Sequence, residues 1–201
     1  GTRQDVTDGE LARRAQAGSS ECFDELVGRF DGAVYSFLAV RSGNASDARE
    51  LAQETFLRAW RKLRHYDPER RFSTWIFTLA RRTAIGHFRR SRPRPAGEAA
   101  LAEVADGSDP SGSASRREQH GRLWTLAGRV LNAEQRSALW LRYGEDLSVN
   151  EVARVLGRRE NTVRVQLHRA RERLAGHLAR DETARGAGAR ARSGPARIEP
   201  L

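Results

Sequence analysis

Between Leu147 and Leu174 the chain reads LSVNEVARVLGRRENTVRVQLHRARERL. Ser148 and Glu151 stand three apart, just ahead of Val152, Val155 and Leu156, which is the spacing of a capping box at a helix start. Gly157 ends that helix, because a residue without Cβ takes the positive φ of a tight turn. From about Glu160 a second helix turns Val163, Leu167, Ala170 and Leu174 to one side at three- and four-residue spacing. Small Ala153 lets the two helices approach, and Val163 packs back across the turn. That combination suits a helix-turn-helix.

The outer face of the second helix offers Arg158, Arg159, Asn161, Thr162, Arg164, Gln166, His168, Arg169 and Arg171. Arginine matches the edge of guanine, Asn and Gln match adenine, and a helix N-terminal turn accepts phosphate. From Arg158 to Arg180 seven arginines meet only Glu160 and Glu172. An ordinary hairpin with a solvated basic face would explain the charge. It would not explain why cap, turn and packing residues all agree.

Upstream, Asn132 to Gln135 suits a capped start for a helix running to about Tyr143. Before it, Leu123, Leu126, Ala127, Val130 and Leu131 mark another helix. From Pro93 to Ser115 the chain reads PRPAGEAALAEVADGSDPSGSAS, with no aromatic residue. Such a segment buries too little apolar surface to offset its ordering entropy, so a flexible linker is expected. It is acidic: Glu98, Glu103, Asp106 and Asp109 have no base among them from Pro95 to Ser115.

The N-terminal block reads as four helices. Thr7 and Glu10 give a capping pattern for the first. Phe23, Leu26, Val27, Phe30, Val34, Phe37 and Leu38 line the second, and the turn Ser42-Gly43-Asn44 ends it. A third begins near Ser46 or Asp47 and buries Ala48, Ala52, Phe56, Ala59, Trp60 and Leu63. A fourth follows Asp67-Pro68, capped by Ser73, with Trp75, Ile76, Leu79 and Ala80 inward. No segment alternates with period two. The fold class expected is all-α, as two small helical domains, residues 5–94 and 116–180. Residues 95–115 form the linker, and 181–201 an unstructured tail rich in Gly, Ala and Arg.

Composition narrows the partners. The chain has 201 residues, 36 Lys+Arg against 26 Asp+Glu, and a formal net charge of +10, which favours a polyanion. A second basic cluster joins the first: Arg81, Arg82, Arg89, Arg90, Arg92 and Arg94 have no acid between them. Just before it, Tyr66, Phe72 and Trp75 interleave with His65, Arg70 and Arg71, and His87 and Phe88 follow. Cations beside exposed aromatics suit single-stranded DNA, although Phe72 and Trp75, each taken alone, read more readily as core.

Cys22 is the single cysteine, so no disulfide forms within the chain, and it falls in an apolar stripe as a packing residue. No apolar run reaches the ~20 residues of a membrane span and no signal-peptide pattern is present, so a cytoplasmic location is expected. His65, His87, His120, His168 and His177 lack ligand-like spacing. No metal, cofactor or catalytic centre is therefore expected, and the chain is read as no enzyme.

Three runs, in this order, resemble one family. ARELAQETFLRAWRKL (Ala48–Leu63), YDPERRFSTWIFTLARRTAIGHFRR (Tyr66–Arg90) and the helix-turn-helix run are similar to segments of the extracytoplasmic-function group of bacterial RNA polymerase sigma factors. The resemblance covers about Leu11 to Leu178. It implies that Gln53, Glu54, Leu57, Arg58, Trp60 and Arg61 meet a coiled coil of the largest core-polymerase subunit. It also implies that the loop from about His65 to Ser73 captures a flipped base of the −10 element.

By the same resemblance, the −10 set is Tyr66, Arg70, Arg71, Phe72, Ser73, Trp75, Arg81, Arg82, His87, Arg89 and Arg90. The −35 set is Arg159, Asn161, Thr162, Arg164, Val165, His168, Arg169 and Arg171. Val165 departs from the polar residue usual there, and its methyls suit a thymine. The partners implied are core RNA polymerase (coiled coil and flap), promoter DNA and an anti-sigma factor, with no membrane contact. A linker running near the polymerase cleft is also implied. The alternative is a stand-alone helix-turn-helix regulator, which would leave Ala48–Leu63 and the aromatic-basic run without work.

Overall fold

The computed structural model describes residues 6–90 and 114–192, excluding the side chains of 90, 114–120 and 181–192. The described residues are helical, with no strand among them. Residues 95–113 of the expected linker, with its four acids, lie outside the described residues, as do residues 193–201 of the expected tail, while Ala114 and Ser115 already belong to a helix.

Four helices make the N-terminal half. They are α1 (Asp8–Gln16), α2 (Ser20–Ser42), α3 (Ala45–Lys62) and α4 (Phe72–Arg90), with a 3-10 turn at Leu63–His65. Local chemistry sets most ends. The Thr7, Ser19 and Asn44 side chains accept from the backbone N–H three residues on, and Gly43 at φ 69° closes α2 in the left-handed region. α4 starts two residues earlier than a Ser73 cap would place it. Its first residue is Phe72, so Ser73 lies inside the first turn and does not cap it.

The C-terminal half contains α5 (Ala114–Val130) and α6 (Ala133–Leu139), which passes into a π-helical turn at Trp140–Gly144. Then come α7 (Val149–Leu156) and α8 (Glu160–Arg192). Asn132 with Gln135, and Ser148 with Glu151, form reciprocal capping boxes. Gly157, at φ 56°, makes the turn between α7 and α8. α8 runs on past the expected boundary at 180. Alanine and arginine are strong helix formers, and no proline interrupts until Pro195.

The two halves share one core. α2 packs on α6, and α4 lies along α7. Buried apolar residues from Leu11 to Ala84 are continuous with those from Trp124 to Leu174. A polar clamp crosses the seam: buried Arg136 donates from Nε to the Val40 carbonyl at 2.8 Å and from Nη1 to the Leu131 carbonyl at 2.7 Å. Both acceptors lie at helix C-terminal ends, where free carbonyls and the helix dipole favour a cation.

Candidate nucleic-acid interface

The loop between the 3-10 turn and α4 is held from inside. Tyr66 is only 3% exposed, and its hydroxyl donates to the Arg70 carbonyl. Burial, reinforced by Asp67 and Asp8, pushes that hydroxyl's pKa up to about 12, so it stays a donor. Asp67 accepts from the Glu69 N–H at 3.1 Å and from Arg70 Nε at 3.2 Å. Gln16 Nε2 donates to the Leu63 and Tyr66 carbonyls at 2.8 Å, and Arg13 pairs with Glu69 at 2.9 Å, fixing the loop to α1.

Two of the expected −10 residues prove to be core. Phe72 is 2% exposed, and Tyr66, Phe72 and Trp75 form a mutual ring cluster with centroids 5.1–5.5 Å apart. Tyr66 and Phe72 therefore shape the loop from inside, where α2 places Phe30 against Phe72 at 5.2 Å. Arg70 and Arg71 stay exposed, with Ser73 and Trp75 half-buried. Arg70, Arg71, Phe72, Ser73 and Phe30 line a hollow of about 420 Å³, and Glu145 from the C-terminal half closes one side of it.

Further along α4, Arg82 and Arg89 are exposed and His87 is half-buried beside Phe88. The side chain of Arg90 lies outside the described residues. Arg81 has a different setting. Its guanidinium lies over the turn of the helix-turn-helix, 3.4 Å from where a Cβ on Gly157 would stand. Burial lowers its pKa, which neighbouring Arg158 and Arg82 lower further and Glu134 raises.

The expected −35 residues come together as one surface. Arg159 precedes α8, while Asn161, Thr162, Arg164, Val165, His168, Arg169 and Arg171 follow along it, all exposed. Val163, Leu167, Ala170 and Leu174 bury the opposite side. Arg164 pairs with Glu160, and Arg171 donates to the Tyr143 hydroxyl at 3.3 Å. Arg158 and Gln166 instead turn to Glu134, at 2.5 and 3.2 Å.

On the far side, α3 presents Gln53, Leu57, Trp60 and Arg61 to solvent, with Glu54 and Arg58 paired at 2.6 Å beside them. Leu57 is 55% and Trp60 46% exposed, unusual for large apolar residues. Trp60 was expected in the core stripe as well as in the partner-binding set. It rests one face on Phe23, 4.9 Å away, and leaves the other open. With Val27 and Phe56 these residues line an apolar groove between α2 and α3.

Sequence patterns missed the seam. Glu151, a capping residue, also accepts from Thr74 Oγ1 at 3.3 Å and Arg71 Nη1 at 3.4 Å. At the opposite end of the seam, burial lowers the Arg41 pKa to about 10. Arg81, Arg136 and Arg158 push the same way, against Glu134 alone. No periodicity marks such residues, since their partners lie 77 to 96 positions away.

Comparison with known proteins agrees with this geometry. Sigma-70 region 2 matches residues 26–94 and sigma-70 region 4 matches residues 129–174. The ECF RNA polymerase sigma factor BldN of Streptomyces coelicolor is 34% identical over 171 residues, 83% of this chain and 64% of BldN. The ECF RNA polymerase sigma factor SigW of Bacillus subtilis is 28% identical over 178 residues, 83% of this chain and 94% of SigW. CnrH in complex with the cytosolic domain of CnrY superposes with a TM-score of 0.64 at 25% identity, covering 87% of this chain and 98% of that one. The sigma factor RpoE in complex with the anti-sigma factor NepR from Bartonella quintana has a TM-score of 0.58 at 22% identity, covering 78% of this chain and 96% of that one. With both regions present in order, the chain belongs to the sigma-70 family of transcription initiation factors, in its extracytoplasmic-function group.

Proposed function

We propose that this chain docks on core RNA polymerase through α3 and carries it to promoters. The loop before α4, with α4 itself, takes the −10 strand, and α8 reads the −35 duplex. The observation that carries this reading is the α3 surface. Leu57 and Trp60 leave apolar area open beside a groove, which a solvated helix does not need and a partner helix does. The rim is polar and charged (Gln53, Glu54, Arg58, Arg61), which gives such an interface orientation and specificity.

On the DNA side, Arg70, Arg71, Arg82 and Arg89 supply phosphate contacts, and the hollow beside Ser73 receives an extruded base. Arg164, His168 and Arg169 face the major groove, and the Val165 methyls meet a thymine. The units are residues 5–94 and 116–180, joined by an acidic tether at 95–115. The protein works in the cytoplasm without a catalytic centre or cofactor of its own. Among the described residues, no helix is long and apolar enough to cross a membrane. Because the fold-similar RpoE binds the anti-sigma factor NepR, an inhibitor protein is a proposed partner here too.

The test is co-elution with bacterial core RNA polymerase, wild type against Arg61→Glu. Stoichiometric binding that the substitution weakens about tenfold or more is expected, corresponding to loss of roughly 1.4 kcal/mol. Absence of binding by the folded wild-type chain would overturn the reading. Specific duplex binding without polymerase would then favour the stand-alone regulator.

A further inference from the structure

The hollow before α4 takes one wall from α1, outside the residues that match sigma-70 region 2. Asp8 and Gly9, in the first turn of α1, line it together with Arg70, Arg71 and Ser73, whereas the match begins at residue 26. Gly9 lets α1 come close to the loop, since a Cβ there would stand 3.6 Å from the Pro68 carbonyl oxygen. Buried Phe30 and Phe72 supply the apolar part of the lining.

The polar groups around the hollow divide by kind. Arg70, Arg71 and Ser73 donate, which suits a phosphate. The charged acceptors in the lining are Asp8, Glu69 and Glu145. Glu69 turns to Arg13 at 2.9 Å, and its side chain is 83% exposed. Burial pushes the Glu145 pKa up, which favours the neutral acid. Asp8 is both charged and held. Its Oδ1 accepts from Arg29 Nη1 at 2.8 Å, and that nitrogen also donates to the Val6 carbonyl at 2.8 Å while Nη2 meets Glu25 at 2.6 Å. Oδ1 alone makes that contact, so among the described residues Oδ2 stays open.

We propose that Asp8 is a specificity-determining residue of the strand-capture site, its Oδ2 accepting from the exocyclic amino group of an extruded base. This rests on the assignment of the hollow to the −10 element. Cytosine and adenine present an amino group at the edge where thymine presents a carbonyl. A carbonyl oxygen set against a carboxylate leaves two acceptors facing each other, both unpaired. Arg29 contributes in two ways. It fixes the carboxylate before the base arrives, which lowers the ordering cost of binding. It also offsets a charge that would otherwise repel the phosphates of the strand.

The test uses the full chain bound to core RNA polymerase and short fluorescein-labelled single strands of deoxycytidine or of deoxyuridine, read by anisotropy at fixed salt. The two bases share a ring and differ by an amino group in place of a carbonyl and its neighbouring ring proton. Asp8→Asn keeps the shape and turns one oxygen into a donor. Glu10→Gln neutralises an acid of the same helix that does not line the hollow, and serves as the charge-matched control. The wild type should bind the cytidine strand about tenfold more tightly than the uridine strand, and Asp8→Asn should bind the two about equally. Glu10→Gln should keep the wild-type preference to within about twofold. The ratio is decisive, because a change of net charge or of folding alone moves both affinities together. No preference in the wild type, or a preference that survives Asp8→Asn, would overturn the proposal, as would its loss in Glu10→Gln. Co-elution of the wild type with core polymerase separates the failures. If it is retained, only the role of Asp8 falls; if it is absent, the polymerase reading beneath it falls as well.

Discussion

Arg136 is the side chain on which the seam most depends. Replacing it with alanine leaves the Val40 and Leu131 carbonyls without their donor in a buried setting. Each unsatisfied carbonyl costs about 1–3 kcal/mol, so Arg136→Ala should lower stability by roughly 2–6 kcal/mol in urea denaturation. Arg136→Lys should recover only part of that loss, since an ammonium cannot reproduce the planar fork across two carbonyls. Gly157 makes a smaller and purely conformational contribution. At φ 56°, alanine adopts the left-handed region at a cost of about 1 kcal/mol, and the melting temperature should fall accordingly. Gly157 was legible beforehand because a turn between two apolar-striped helices demands such a residue. Arg136 was not. In sequence it is one arginine beside one glutamate in a short helix, and nothing local tells that its partner sits 96 residues earlier.

Helix starts and stops were legible for a similar reason, because capping is settled within four residues. Asn132, Ser148 and Gly157 all behave as their spacing predicts. Ser73 does not cap α4, since Phe72, buried in the ring cluster, already belongs to the helix and the start lies two residues earlier. The α7 cap also carries a pH signature. Burial opposes ionisation of Glu151, but hydrogen bonds from Ser148 and Thr74 and the charge of Arg71 outweigh it. The folded pKa therefore lies below the ordinary 4.5. A group lowered on folding contributes stability that is fully present above the unfolded value and lost as pH falls through the folded one. Acid titration followed by circular dichroism should show part of the helix signal lost below about pH 4.5. Glu151→Gln should flatten that part of the profile while leaving α7 formed.

At the scale of the whole molecule, the division into two helical halves was legible from the composition of residues 95–115, and the union of the halves was not. A Gly/Pro/Ser-rich tether implies independence. The apolar stripes of α2 and α6 carry no mark of which other stripe each will meet, and it takes folding to join them into one cluster. The two basic surfaces were legible from residue chemistry, because charge, interleaved aromatics and turn residues are local properties, whereas the α3 surface came only from the family resemblance. Two of the expected DNA contacts, Tyr66 and Phe72, are buried, and the sequence did not show this because an aromatic in a basic run serves a core as well as it serves a base. Which role it takes depends on Phe30, more than 35 positions earlier in the chain.

The distance along the chain between the two sides of the seam also sets an order in time. Thr74 and Glu151 are 77 residues apart, and a ribosome adds about 5–20 residues per second. For roughly 4–15 seconds after Thr74 is made, Glu151 does not yet exist, and the face of α4 that packs on α7 waits for its cover. The N-terminal half is therefore complete in sequence before the surface that covers its α4 face has been synthesised.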